Sequence, residues 1–254
     1  VMQTAKDTAG NFYSYIQNDP FDTRIYKLPN GLTLYLSRNP MRPRVSVLTI
    51  VRAGSSDEPA DSTGLAHYFE HMMFKGTPRM GTLDWAKEKP LLDRISELFE
   101  QRKMEPDPVR KKELYAEIDR VSGEAAKYAA AGEFSKLASS FGASGLNAAT
   151  GVDFTVYMGE LPANELGNYL KLDAERFSNP VLRLFHTELE AVYEEFNRSQ
   201  DKDGMVSYQE LNRALLPAHP AGRPIIGEPD HLKNPSMKDI MTFFSRYYVP
   251  GNMA

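Results

Sequence analysis

The run Gly64-Leu65-Ala66-His67-Tyr68-Phe69-Glu70-His71-Met72-Met73-Phe74 holds two histidines and a glutamate at helical spacing. Ser62 or Thr63 just before it offers an N-cap for a helix carrying Leu65–Phe74. On that helix His67 and His71 lie one turn apart on one face and present two imidazoles to a single ion. Glu70 sits beside them and reaches a water without becoming a ligand. Zn²⁺ lowers the pKa of such a water to about 7, and a neighbouring carboxylate can take its proton and later hand it to a leaving amine. A lone histidine is usually a satisfied structural residue. Two at i, i+4 with a glutamate between them, on a helix following a buried strand, have the makings of a metal site.

Outward from this run, three β-rich segments come first, at Thr23–Leu28, Leu32–Leu36 and Val45–Arg52. Pro29-Asn30-Gly31 reads as a hairpin turn between the first two. The third is apolar on both faces in part (Val47, Leu48, Ile50, Val51), as expected inside a sheet. A fourth strand lies in Asn147–Leu161, where Phe154-Thr155-Val156-Tyr157-Met158 alternates. Helices are expected over Ala163–Phe177, His186–Arg198 and near Met205–Leu215. Strands followed by packed helices predict an α+β fold, a mixed or antiparallel sheet covered by helices. Residues 1–20 read as an N-terminal extension and 21–254 as the main domain.

Between residues 85 and 132 the character changes. Leu91, Ile95 and Leu98 have helical spacing, as do Leu114, Ile118 and Val121, with charged residues between them. Glu105-Pro106-Asp107-Pro108 separates the two stretches. This predicts an inserted αα-hairpin, read chiefly as a solvated decoration with a narrow apolar seam; a docking arm or a chamber wall is the other reading.

Composition narrows the chemistry. The 254 residues contain no cysteine, which removes disulfides, thiolate metal sites and a cysteine nucleophile. Thirty basic against 34 acidic residues argue against a nucleic-acid binder with a basic surface. No apolar run is long enough to span a bilayer. A third metal ligand must therefore be a carboxylate, since His186, His219 and His231 lack a suitable spacing. The richest acidic helix is Glu188–Glu195; Glu188 and Glu195 lie two turns apart on one face, so one can bind an ion while the other supports it from behind.

The His-x-x-Glu-His order is the inverted zinc-peptidase pattern. Gly64–Phe74, continuing into Lys75-Gly76-Thr77, resembles the zinc helix of the pitrilysin, insulysin and mitochondrial processing peptidase family. Further stretches agree in order: Leu28–Leu32, Val51–Ser55, Leu146–Thr150 with Thr155–Tyr157, Glu188–Glu195, Arg223–Gly227 and Tyr247–Met253. The resemblance implies a zinc endopeptidase fold in which His67, His71 and Glu195 bind one Zn²⁺. Glu70 would be the general base and Glu188 the carboxylate behind the ligands. Asn147 and Ala148 would lie on an edge strand to which a peptide or unfolded segment adds. The stretch between His71 and Glu195 is longer than the family usually shows, and the hairpin accounts for the excess. Glu194, the rival ligand, would point about 100° away from the face of Glu188.

The same resemblance implies a second homologous half, in one full-length chain or in a partner subunit, that supplies the groups holding the substrate carbonyl. The start at Val1-Met2 without a leader, and the end at Met253-Ala254 just after a turn, suggest a piece of a longer protein that binds Zn²⁺ but cleaves poorly alone. The motifs suggest a bacterial protein, periplasmic or secreted. Two other readings compete: a non-catalytic, chaperone-like scaffold of the same fold, though relatives of that kind usually lose a residue of the motif; and a calcium-responsive module, since Ser199–Glu210 places oxygens at loop positions 1, 3, 5, 9 and 12 with Gly204 at 6.

Overall fold

In the computed structural model, which describes residues 1–254, seven strands form two antiparallel sheets. The first contains β1 (Met2–Lys6), β2 (Phe12–Ile16), β3 (Arg24–Lys27) and β4 (Thr33–Leu36), in that order. Residues read as an extension thus supply a hairpin in register with β3, Ser14 lying opposite Ile25. The turn at Pro29-Asn30-Gly31 closes with Leu28 N donating to Leu32 O at 2.8 Å, and Gly31 takes the left-handed conformation.

The second sheet has β5 (Arg44–Val51), β6 (Ser144–Thr150) and β7 (Thr155–Pro162), in the order β5-β7-β6. The single strand expected over Asn147–Leu161 is therefore a tight hairpin, reversing between Thr150 and Thr155. Its inner face buries Val51, Thr155, Tyr157 and Leu161, whereas Leu48 on the outer face is 55% exposed.

The helices are α1 (Leu65–Met72), α2 (Trp85–Met104), α3 (Pro108–Ala126), α4 (Glu133–Ser140), α5 (Leu166–Ser178), α6 (Phe185–Gln200), α7 (Asp203–Leu215), α8 (Pro229–Leu232) and α9 (Met237–Tyr247). The class is α+β, as the sequence predicts. Helix α1 runs through the centre: Phe69 packs on Phe244 and Tyr248, and Tyr68 donates its hydroxyl to Phe185 O.

The α2–α3 hairpin forms where its spacing places it, with Asp84 and Asp107 capping the two helices. It is not a solvated decoration. Leu92, Ile95, Leu98 and Phe99 from α2, and Leu114, Ile118 and Val121 from α3, belong to the same core as Leu65, Phe69 and Leu189. Each fully buried side chain of this kind is worth about 1.5–3 kcal/mol. A surface pair such as Lys89–Asp93 adds only about 0.3–0.5 kcal/mol. The seam, rather than the charge, holds the hairpin down.

The calcium reading is overturned. Helix α6 runs through Gln200, and α7 starts at Asp203. The proposed positions 5, 9 and 12 (Asp203, Ser207 and Glu210) therefore lie on one straight helix, which cannot wrap its oxygens around an ion as a calcium loop does.

Candidate metal centre

Helix α1 is not capped by Ser62 or Thr63. Its N-cap is Gly64, in the left-handed region with φ of 88°. An added Cβ there would meet Ile226 O at 2.7 Å, so only glycine fits. The first-turn amides are satisfied from a distance instead: the buried Glu58 accepts from Gly64 N at 2.9 Å and Ala66 N at 2.8 Å. Thr63 turns away, its hydroxyl accepting from Glu228 N and lying 2.8 Å from His231 Nδ1. The carboxylate is favoured at a helix N-terminus, where the amides and the macrodipole attract it.

Burial pushes Glu58 up to about 7, against the pull of the two amides and of Arg223. A carboxyl whose folded pKa lies above its unfolded value of 4.5 contributes stability that is complete below that value and is lost as pH rises through about 7. Melting curves from pH 4.5 to pH 7.5 should show this loss in the wild type, and Glu58→Gln should flatten it; equal slopes would remove Glu58 as the cause.

The fold brings α1 against α6 and thereby assembles the expected residues. His67 Nε2 lies 3.8 Å and His71 Nε2 3.6 Å from Glu195 Oε2. The three donor atoms fall within 4.8 Å of one another. Donors at 2.0–2.1 Å from a tetrahedral ion stand about 3.3–3.4 Å apart, and the two His–Glu195 separations exceed that by only a few tenths of an ångström. Burial, then the neighbouring His71, push His67 down to about 3, which keeps the imidazole neutral as a ligand must be. Its Nδ1 is buried and unpartnered, so the side chain's polar function is directed wholly through Nε2. Glu194 lines a different groove, with Arg102, Tyr115 and Tyr193.

Glu188 stands behind His71, on the side away from Glu195. Its Oε2 is 3.4 Å from His71 Nδ1, and its Oε1 accepts from Lys75 Nζ. Burial raises this carboxyl, but the contacts with His71 and Lys75 outweigh it and hold the group below the usual carboxylate range. On His71, burial alone would lower the pKa; the bond to Glu188 and the charges of Glu70, Glu188 and Glu195 raise it. Such an acceptor fixes the tautomer of a metal-binding histidine.

Glu70 is buried beside the triad, and Thr150 Oγ1 donates to its Oε2 at 2.6 Å. Burial raises its pKa and the Thr150 bond opposes the rise. Neither Thr150 nor Lys75 was assigned a role from sequence. Thr150 ends the strand opposite α1, and only the sheet register aims its hydroxyl at Glu70.

These residues open onto a cavity of about 480 Å³. One wall is β6, an edge strand. Gly151 N donates to Phe154 O, and ladder bonds alternate along a strand. The backbone groups of Asn147 and Ala149 therefore face β7, while those of Ala148 face the open edge. Asn147 can reach the cavity only by its side chain, whereas Ala148 offers its backbone. The opposite wall, absent from the sequence expectations, is α7 with Met205, Tyr208 and Asn212, together with Arg223–Ile226. None of α7 is buried, and Tyr208 is 61% exposed. The helical spacing of Met205, Tyr208 and Asn212 is the signal that could have marked it.

A family model described as "Insulinase (Peptidase family M16)" matches residues 33–88. The chain is 23% identical over 231 residues to an uncharacterized zinc protease of Rickettsia felis, covering 90% of this chain and 44% of that protein. A protease from Helicobacter pylori superposes with a TM-score of 0.66 at 24% identity, over 91% of this chain and 44% of the other. Pitrilysin superposes with a TM-score of 0.65 at 21% identity, over 99% of this chain and 22% of the other. The chain thus spans less than half the length of these relatives. No helix is long and apolar enough to cross a membrane.

Proposed function

We propose that this chain, which belongs to the insulinase family (peptidase family M16), is the zinc-holding half of an endopeptidase acting on peptides or unfolded segments. The observation that carries this reading is the donor triad of His67, His71 and Glu195 with the carboxylate of Glu70 beside it. His67 Nε2, His71 Nε2 and Glu195 Oε2 would hold the ion and leave one tetrahedral position open. Bound there, zinc supplies Lewis acidity, bringing the pKa of a water to about 7 and polarising a peptide carbonyl.

The chain's own residues do the rest. Glu70 takes the proton of the attacking water and returns it to the departing amide nitrogen. Thr150 anchors Oε2 of that carboxylate, leaving Oε1 for proton transfer. Glu188, itself held by Lys75, keeps His71 oriented. A substrate strand adds along the open edge of β6, bonded to the backbone of Ala148 and oriented by the Asn147 carboxamide. A folded substrate must first loosen a segment to enter. The relatives are more than twice as long as their matched part, which supports placing further substrate-holding groups in a second homologous half. The chain alone is expected to hold zinc and to cleave peptides poorly.

Metal analysis after dialysis tests the site. Wild type and Glu194→Gln should each retain about one zinc per chain, and Glu195→Gln should lose it. Retention by Glu195→Gln with loss from Glu194→Gln would reverse the assignment; zinc on none of the three would remove the metal reading.

A further inference from the structure

Helix α6 carries ionisable groups on two opposite sides. Glu188 and Glu195 turn toward α1. His186 and Glu190, two residues to either side of Glu188, lie about 160° round the helix from it. That second side meets α3. His186 is only 5% exposed, and the ring of Tyr115 stands edge-on to it with centroids 5.0 Å apart. Its Nδ1 is buried without a hydrogen-bond partner, as at His67. Its Nε2 lies 3.6 Å from Asp119 Oδ1 on α3 and 3.9 Å from Glu190 Oε1, one turn along α6.

Both separations are too long for hydrogen bonds. Neither carboxylate meets a lysine or arginine. Arg102, which stacks on Tyr115, spends its own donors on Lys233 O and Asn234 Oδ1. Buried polar groups in folded proteins are satisfied by protein, by water or by an ion. Here a buried imidazole and two carboxylates converge without bonding one another. Donors sharing one tetrahedral ion stand about 3.3–3.4 Å apart, and the two distances from Nε2 exceed that by a few tenths of an ångström. Asp119 and Glu190 are well exposed, so their side chains are free to close that difference.

We propose that His186, Asp119 and Glu190 form a second cation site, bridging α3 and α6, for a divalent transition-metal ion such as Zn²⁺. The imidazole selects against calcium and magnesium, which take oxygen ligands. A cation there occupies Nε2 and neutralises both carboxylates. It also fastens the α2–α3 hairpin to the helix that carries Glu188 and Glu195. Two of its three ligands must be ordered out of solvent, so the ion is held loosely and leaves on dialysis. The site uses none of the residues of the first centre. Sequence spacing set His186 aside because its partner Asp119 comes from another helix.

Calorimetric titration of Zn²⁺ into the dialysed chain tests the site, read as uptake beyond the zinc that dialysis leaves. Wild type should take one further ion per chain, and its Tm should rise by about 2 °C or more as it does. Asp119→Asn and Glu190→Gln keep the shape of exposed side chains. Each should weaken this uptake at least tenfold, since loss of a group that merely supports a ligand already costs about 10–100-fold. Glu194→Gln should bind as wild type does. Glu195→Gln should still take the ion between α3 and α6, so the two metal readings fail separately. No uptake by wild type beyond the retained zinc would overturn the proposal, as would undiminished uptake by Asp119→Asn and Glu190→Gln. Equal weakening by Glu194→Gln would also overturn it, by reducing the uptake to a diffuse acidic surface.

Discussion

Glu70→Gln is expected to abolish peptide hydrolysis by the full-length enzyme while zinc remains bound. Glutamine has the shape of glutamate and can still accept the bond that Thr150 Oγ1 makes to Glu70 at 2.6 Å. It cannot take a proton from water. A positioned general acid–base contributes roughly 10²–10⁴-fold to rate, so kcat should fall by that order with KM little changed. Zinc content is the discriminating readout, because His67, His71 and Glu195 are untouched by the change. Cleavage at the wild-type rate would refute the role of Glu70, and a parallel loss of zinc would make it a ligand.

The second large effect concerns stability. Arg183 and Glu88 are buried and paired, Arg183 Nε to Glu88 Oε1 at 2.5 Å and Nη2 to Oε2 at 2.8 Å. The same guanidinium donates to Lys75 O at 2.6 Å, Met80 O at 3.2 Å and Thr77 O at 3.2 Å. One side chain thereby ties α2, the loop after α1 and the entry to α6, the three pieces that set His71, Lys75 and Glu188 relative to one another. Removing one partner leaves an uncompensated buried charge and costs about 3–5 kcal/mol. Arg183→Met should lower Tm by about 10 °C or more. Glu88→Leu with Arg183→Met should cost much less than the sum of the two single changes, because neither charge is then stranded. Calorimetry on the singles and the double checks this; strictly additive losses would show that the ion pair is not the source.

Much of the centre is legible in the sequence because it is local. A helix of 3.6 residues per turn places His67 and His71 on one face whatever surrounds them, and Glu70 follows from the same geometry. The α2–α3 hairpin is legible for the same reason, from Ile95 and Leu98 in one stretch and Ile118 and Val121 in the other. Its role was not, because apolar spacing states that a seam exists and says nothing about which surface receives it. The packing of Phe99 on Phe185, with ring centroids 5.0 Å apart, makes the hairpin part of the main core. The calcium reading failed through the same blindness: oxygens at suitable intervals bind an ion only if the backbone curls, and residues 203–215 are helical.

Relations across the chain belong to the tertiary structure. Glu188 and Glu195 share a helical face in the sequence, but only the crossing of α1 and α6 puts Glu195 against both imidazoles and Glu188 behind His71. The cap on α1 comes from Glu58 rather than from the adjacent Ser62 or Thr63, since Gly64 occupies the N-cap position and the Thr63 hydroxyl is engaged by Glu228 N. The bond from Thr150 to Glu70 depends on strand register, which no single strand's sequence specifies. Local spacing determines which groups can act together on one element. Long-range packing decides which element faces another, because that choice is made by complementary buried surfaces far apart in the chain.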